Sequence, residues 1–292
     1  MHVPVLMNEV MTALAVKPDG LYLDGTFGRG GHTRAILEAG GKVVACDMDP
    51  DAISSAQQEL ATEIAEKKLT ICHTNFANLD IALPELELNP PAFDGALFDL
   101  GLSSNQIDES ERGFSFQGSQ PLDMRMDPRL GVTAADLLNA LPEKHLKNLL
   151  WEFSQETQAS QIARAVAQER EKQPFRTTDQ LVKIISKVKG HRRGHLHPAT
   201  KTFMALRMAV NLEIENLQSL LNTILPWLKP DARLAIISFH EGEDRLVKNT
   251  FDEWENQKQV SQITNKPIMT SESEIDANPR SRSARLRVAQ RI

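Results

Sequence analysis

Cysteine is nearly absent from this chain of 292 residues, with two in all, and tyrosine is rarer still, with one. Two cysteines cannot make a disulfide framework. Cys46 and Cys72 each sit in a short apolar run of strand type, where a thiol reads as a small core side chain. Long apolar runs are also missing: nothing reaches the ~18 residues a membrane span needs. The opening MHVPVLMNEVMTAL carries no basic leader and is interrupted by Pro4, Asn8 and Glu9. A soluble protein of a reducing, cytoplasmic setting with no membrane partner is expected. A basic excess is lacking too, since the net charge is −6, which excludes a chain that coats nucleic acid through its overall field. At this length the chain holds one large domain or two modest ones and needs no internal staples.

What is present is alternation. Strand-length apolar runs at 21–26, 42–47, 69–74 and 95–100 are separated by helical patterns, the second of which opens with Asp49 as N-cap and Pro50 at the first helical position. Strand, helix, strand in short succession implies parallel pairing with right-handed crossovers, hence an α/β doubly wound sheet. The rhythm then stops until RLAIISF at 233–239. In between lie helical patterns, including Thr177 to Gln180 as a capping box and one long helix from about Ala199 to Leu228, followed by a turn at Lys229 to Asp231. A further helix spans Glu241 to Gln257, and LRVAQRI closes the chain as a strand after a polar loop. The expected organisation is a discontinuous domain, residues 1–105 and 200–292, interrupted by a mostly helical domain over residues 106–199. Ligands of open α/β sheets sit beyond the carboxyl ends of the strands. An insertion there is expected to roof the pocket and to serve a bulky second substrate.

The stretch from Asp24 to Thr33, DGTFGRGGHT, follows the first strand and holds four glycines. Gly28 and Gly30 permit close backbone approach to a ligand, and Gly31 opens a helix whose N-terminus favours an anionic group. A dinucleotide would place its pyrophosphate here. Thr33, however, replaces the third glycine of that fingerprint, and Asp24 adds negative charge. S-adenosylmethionine suits the site better, with an ammonium for Asp24 and a carboxylate for the helix terminus. Asp47, at the end of the second strand, is placed to accept the ribose hydroxyls, a feature shared by both ligands. The fourth strand ends FDLGLSSNQID, which sets Asp99 beside the presumed methyl group, with Ser103, Ser104, Asn105 and Gln106 just beyond. His32 has no Cys or carboxylate at ligand spacing, and no metal is expected. Two basic clusters, Lys187 to Lys201 and Arg280 to Arg291, read either as solvated faces or as RNA contacts.

With these residues in hand the chain resembles the bacterial 16S rRNA cytosine N4-methyltransferases of the small-subunit decoding site. The strings that carry the likeness are DGTFGRGGH, FDLGLSSNQID, ERGFSF, PLDMRMDP, HPATKTF with ALR shortly after, ISFH with EDR soon after, and NPRSRS. They span nearly the whole length. The resemblance implies a class I, Rossmann-like methyltransferase fold with S-adenosylmethionine as donor and a cytosine of 16S rRNA within the small subunit as acceptor. It places cofactor contacts on Gly30, Gly31, His32, Asp47, Phe76, Asp99 and Gln106. Three departures stand out: Glu241-Gly242 in place of Ser-Leu after ISFH, Met204 where a glutamine usually precedes ALR, and EFSQETQAS where Gly-Glu-Glu usually stands. They touch the acceptor side and the insert, not the cofactor residues.

The exocyclic amine of cytosine is a poor nucleophile, so the expected chemistry is alignment plus an acceptor for its N–H. Asp99 is the expected acceptor, assisted by Ser103, Ser104 or a main-chain carbonyl. Extruding the base is expected to involve Phe114 and Phe116 as stacking rings, with Arg112, Arg125, Arg192, Arg193, His197, Arg207, His240 and Arg245 on the substrate side. A homodimer is compatible with the sequence. The competing readings are a non-catalytic RNA-binding assembly factor, a methyltransferase for another substrate, and, last, a nicotinamide dehydrogenase.

Overall fold

The computed structural model describes residues 4–102, 111–116, 118–190 and 197–292. The chain divides into two compact units, Met1–Gly101 with Ile214–Ile292, and Leu102–Glu213.

The first unit is built on one mixed sheet. Its strands are β1 (Leu21–Asp24), β2 (Lys42–Asp47), β3 (Leu69–His73), β4 (Phe93–Asp99), β5 (Leu228–Ser238), β6 (Val260–Gln262), β7 (Ile268–Met269) and β8 (Arg285–Arg291). They lie in the order β3-β2-β1-β4-β5-β8-β6, with β7 paired to β8. The first five run parallel, whereas β8 runs antiparallel to both β5 and β6. Period-two burial explains the two faces. On β2, Val44 and Cys46 join a core with Phe98, Leu220 and Phe251, while Val43 and Ala45 join the opposite core with Leu6, Tyr22 and Ile237. The helices α1 (Met7–Leu14), α2 (Gly31–Glu38), α3 (Pro50–Glu59), α4 (Ala61–Ala65) and α5 (Leu79–Glu85) belong to this unit. As expected, α3 starts on Pro50 with the Asp49 side chain accepting from the Asp51 N–H at 3.1 Å.

Three expectations change. The predicted turn at Lys229 to Asp231 is absorbed into β5 as an irregularity: Phe93 pairs with Leu228 but Gly95 with Arg233, and Asp231 takes φ 68°. The single long helix is in fact two, Thr200–Asn211 and Glu213–Thr223, broken at Leu212 with φ 52°. Asn211 explains the break. It is buried, donates to the Met124 carbonyl at 2.8 Å and accepts from the Met126 N–H at 2.7 Å, which anchors the helix end. The apolar spacing continues across the break, so periodicity alone cannot reveal it. Phe203, Leu206 and Val210 of Thr200–Asn211 are buried, and that helix packs on Glu143–Ser154 within the second unit, although the sequence assigns it to the first.

The second unit is helical, with Ala134–Ala140, Glu143–Ser154, Ala159–Arg170, Thr178–Lys189 and Thr200–Asn211. The expected cap at Thr177 is present, its N–H donating to Gln180 Oε1 at 3.1 Å. No helix among the described residues is long and apolar enough to cross a membrane.

Candidate functional site

The glycine turn is held from below by the strand tips. The Phe27 N–H donates to the Cys46 carbonyl at 2.9 Å, and the Gly28 N–H donates to Asp47 Oδ2 at 2.7 Å. Gly30 sits at φ 70°, and a Cβ there would collide with the Phe27 ring, so both backbone and space demand glycine. Helix α2 begins directly after it with no side chain capping its first turn, which leaves main-chain N–H groups for an anion.

Three carboxylates stand at the tips of β1, β2 and β4. Asp24 is almost fully buried, with Oδ1 accepting from the Thr26 N–H at 3.2 Å and Oδ2 from the Thr33 hydroxyl at 2.6 Å. Thr33, where a dinucleotide fingerprint has glycine, therefore ties α2 to β1. Asp47 also accepts from the Asp49 N–H at 2.9 Å. Asp99 donates its own N–H to the Thr26 hydroxyl at 2.6 Å, so Thr26 links two of the three tips. Burial pushes Asp24 and Asp47 up to about 6. Asp99 rises to about 8 through burial and then through the charges of Asp24 and Glu243. Its Oδ1 is sealed from solvent and has no hydrogen-bond partner among the described residues.

His32 is buried, with Nε2 3.1 Å from the Val5 carbonyl and Nδ1 3.9 Å from Asp99 Oδ2. A carbonyl only accepts, so Nε2 carries the hydrogen, and burial lowers the ring to about 4, leaving it neutral. Phe76 lies just past β3 and packs edge-on against Phe98 at 6.0 Å. Glu243, absent from the sequence-based expectation, is buried and accepts from the Phe239 and His240 N–H groups at 2.9 and 3.3 Å. The signal for it is legible: His240 followed by an acidic residue three positions on is a capping pattern, and His240 Nδ1 accepts from the Glu243 N–H at 3.2 Å. His240 is therefore occupied with starting the helix Glu241–Asn256.

Most of the expected substrate residues have partners inside the chain. Arg125 forms a two-point pair with Asp123 at 2.7 Å and donates to the Pro128 and Leu130 carbonyls. Arg112 donates to the Arg125 and Met126 carbonyls and lies 5.7 Å from the centre of the Phe114 ring, itself buried. Arg207 forms a two-point pair with Glu213 at 2.7 and 2.8 Å. Within the terminal cluster, Arg287 is buried against Asp244, and Arg291 donates to the Leu225 and Leu228 carbonyls. Arg245 and Arg282 are exposed. Phe116 is stacked on His197, with centroids 4.3 Å apart and planes at 8°. Ser103, Ser104, Gln106, Arg192 and Arg193 lie outside the described residues.

Asp24 on the central strand tip, Asp47 and the half-buried Asp99 on the strands either side of it, and a bare helix terminus form a donor set for a ligand with cationic and anionic ends. S-adenosylmethionine carries both an ammonium and a sulfonium together with a carboxylate, and it fits. The strand order and this site define a class I S-adenosylmethionine-dependent methyltransferase. A model of the MraW methylase family matches residues 1–292. Proteins named "Ribosomal RNA small subunit methyltransferase H" are similar over the full chain: 44% identical in Heliobacterium mobile, covering 99% of that protein, 43% in Idiomarina loihiensis, covering 97%, and 44% in Desulfotalea psychrophila, covering 98%. The chain belongs to the MraW methylase family.

Proposed function

We propose that this enzyme transfers a methyl group from S-adenosylmethionine to the N4 amine of a cytosine in 16S rRNA near the decoding centre, acting in the cytoplasm on the small ribosomal subunit. The observation that carries the reading is the triad of strand-tip carboxylates around an uncapped helix terminus, in a chain of this family. When bound, S-adenosylmethionine supplies an electrophilic methyl on a positively charged sulfur. Asp24 favours the ammonium, Asp47 accepts the ribose hydroxyls, Asp99 favours the sulfonium, and α2 favours the carboxylate of the amino acid end. Asp99, once ionised, accepts an N–H of the cytosine amine and localises its lone pair. Thr26 fixes the backbone of Asp99, and the neutral His32 next to it adds no competing charge.

On the acceptor side, the face of Phe116 turned toward His197 is covered, so the ring offered to a base is that of His197. Its imidazole is exposed, accepts from the Ala199 N–H at 3.2 Å and is backed by the Phe116–Phe203 edge contact at 5.8 Å. Stacking on such a platform is worth about 1–3 kcal/mol per base. His197→Ala is expected to raise KM for subunits roughly tenfold at unchanged kcat, and His197→Phe to restore it. An unaltered KM in His197→Ala would remove the platform.

Labelled-methyl transfer tests the function itself, with unmodified small subunits and free rRNA as alternative acceptors and the product nucleoside identified. N4-methylated cytidine from the subunits is the expected result. Label on another nucleoside, or none on RNA, would overturn the reading.

A further inference from the structure

Cys46 and Cys72 are the only cysteines of the chain, far apart in sequence, yet they face each other directly across β2 and β3. Side chains at directly paired positions of neighbouring parallel strands point to the same face, and the strands are about 4.7–4.9 Å apart. That spacing lies within the Cα separation, about 4.4–6.8 Å, that a disulfide accepts. Both thiols are free. Cys46 is fully buried, whereas Cys72 is partly exposed and lines a cleft of about 270 Å³ with His73, Asn78, Ile81 and Glu85. The cleft lies against α5.

We propose that Cys72 and Cys46 form a redox-active thiol pair, in which a small hydroperoxide enters the cleft and oxidises Cys72, and Cys46 then closes a disulfide across the two strands. In the first step the Cys72 thiolate attacks the O–O bond. The S–O bond forms, the O–O bond breaks, and the alkoxide or hydroxide leaves and takes up a proton, so that Cys72 becomes a sulfenic acid. In the second, the Cys46 sulfur displaces that hydroxyl. The S–S bond forms, the S–O bond breaks, and water departs with the proton of the Cys46 thiol. The dithiol loses two electrons and the hydroperoxide gains them.

The difference in exposure supports the assignment of roles, since only Cys72 reaches the cleft. The neighbouring Cys46 thiol lowers Cys72 to about 7, although burial opposes the shift. The neighbouring Cys72 sulfur and burial push Cys46 well up. The accessible sulfur is thus the one that ionises, and thiolate character combined with access governs thiol reactivity.

Full-length protein treated with hydrogen peroxide, quenched and unfolded in a thiol-titrating reagent is expected to show no free thiols, with both recovered after dithiothreitol. Peptide mapping should then find Cys46 joined to Cys72 within single chains. Cys46→Ala removes the resolving sulfur with little loss of volume, and peroxide should leave it with an oxygen adduct on Cys72. Cys72→Ser should keep its Cys46 thiol unreacted. Two titratable thiols remaining in the treated natural protein, or oxygen adducts on Cys72 without the link, would overturn the proposal.

Discussion

Replacing Asp99 with asparagine is expected to slow methyl transfer by about 10²–10⁴-fold, the range associated with losing a positioned proton acceptor. Asparagine preserves the side-chain shape and the main-chain N–H that donates to Thr26, so a loss of that size reports the charge and the second acceptor oxygen. Single-turnover rates with saturating subunits, alongside calorimetric affinity for S-adenosylmethionine, separate chemistry from binding. Thr26→Val should reproduce part of the defect by freeing the Asp99 backbone, and Thr26→Ser should restore it. Normal rates in Asp99→Asn at unchanged cofactor affinity would transfer the acceptor role to another group.

The affinity for S-adenosylmethionine is expected to climb with pH and to level off above about 8. In the free protein, burial raises Asp24 and Asp47 to about 6 and Asp99 to about 8, so each holds a proton where an exposed carboxylate would have lost it. A cationic ligand favours the ionised forms, lowers those values and releases protons. Binding therefore tightens as pH rises through the window between the two values, by at most about tenfold per unit for each proton released. Folding without ligand responds in the opposite sense. The native chain keeps protons that the unfolded chain sheds above about 4, so these groups subtract stability as pH rises from there to about 8. Calorimetry in buffers of different ionisation enthalpy measures the proton release directly. S-adenosylhomocysteine, which lacks the sulfonium charge, should show the shallower dependence. Identical profiles for the two ligands would mean that no carboxylate faces the sulfur.

How much of this is legible in the sequence depends on whether a feature is local. The glycine turn, the α3 cap at Asp49 and the acidic residues ending β1, β2 and β4 are written in runs of a few residues, and turn and strand chemistry fix them there. The arginines illustrate the opposite case. Arg112, Arg125 and Arg207 read as free cations for phosphate because composition displays a charge but not what satisfies it, and each finds carbonyls or a carboxylate within its own unit. Leu212 breaks a helix that the apolar period would continue, because the deciding contact, Asn211 with Met124, spans many residues. The facing of Cys46 and Cys72 is likewise a matter of strand register. The short strands β6 and β7 carry too few residues for any period to emerge and exist through pairing with β8.

The placement of β8 also bears on how the protein is made. It lies between β5 and β6 and pairs with β7 as well, so β6 and β7, and one edge of β5, depend on a segment more than forty residues downstream of β5. Until residues 285–291 arrive, β5 presents Ala235, Ile236 and Ile237 along an open sheet edge, the kind of surface that recruits other unfinished chains. Newly synthesised enzyme is thus most prone to self-association just before that last pairing, and holding this edge apart from its neighbours is the task its biogenesis sets for a chaperone.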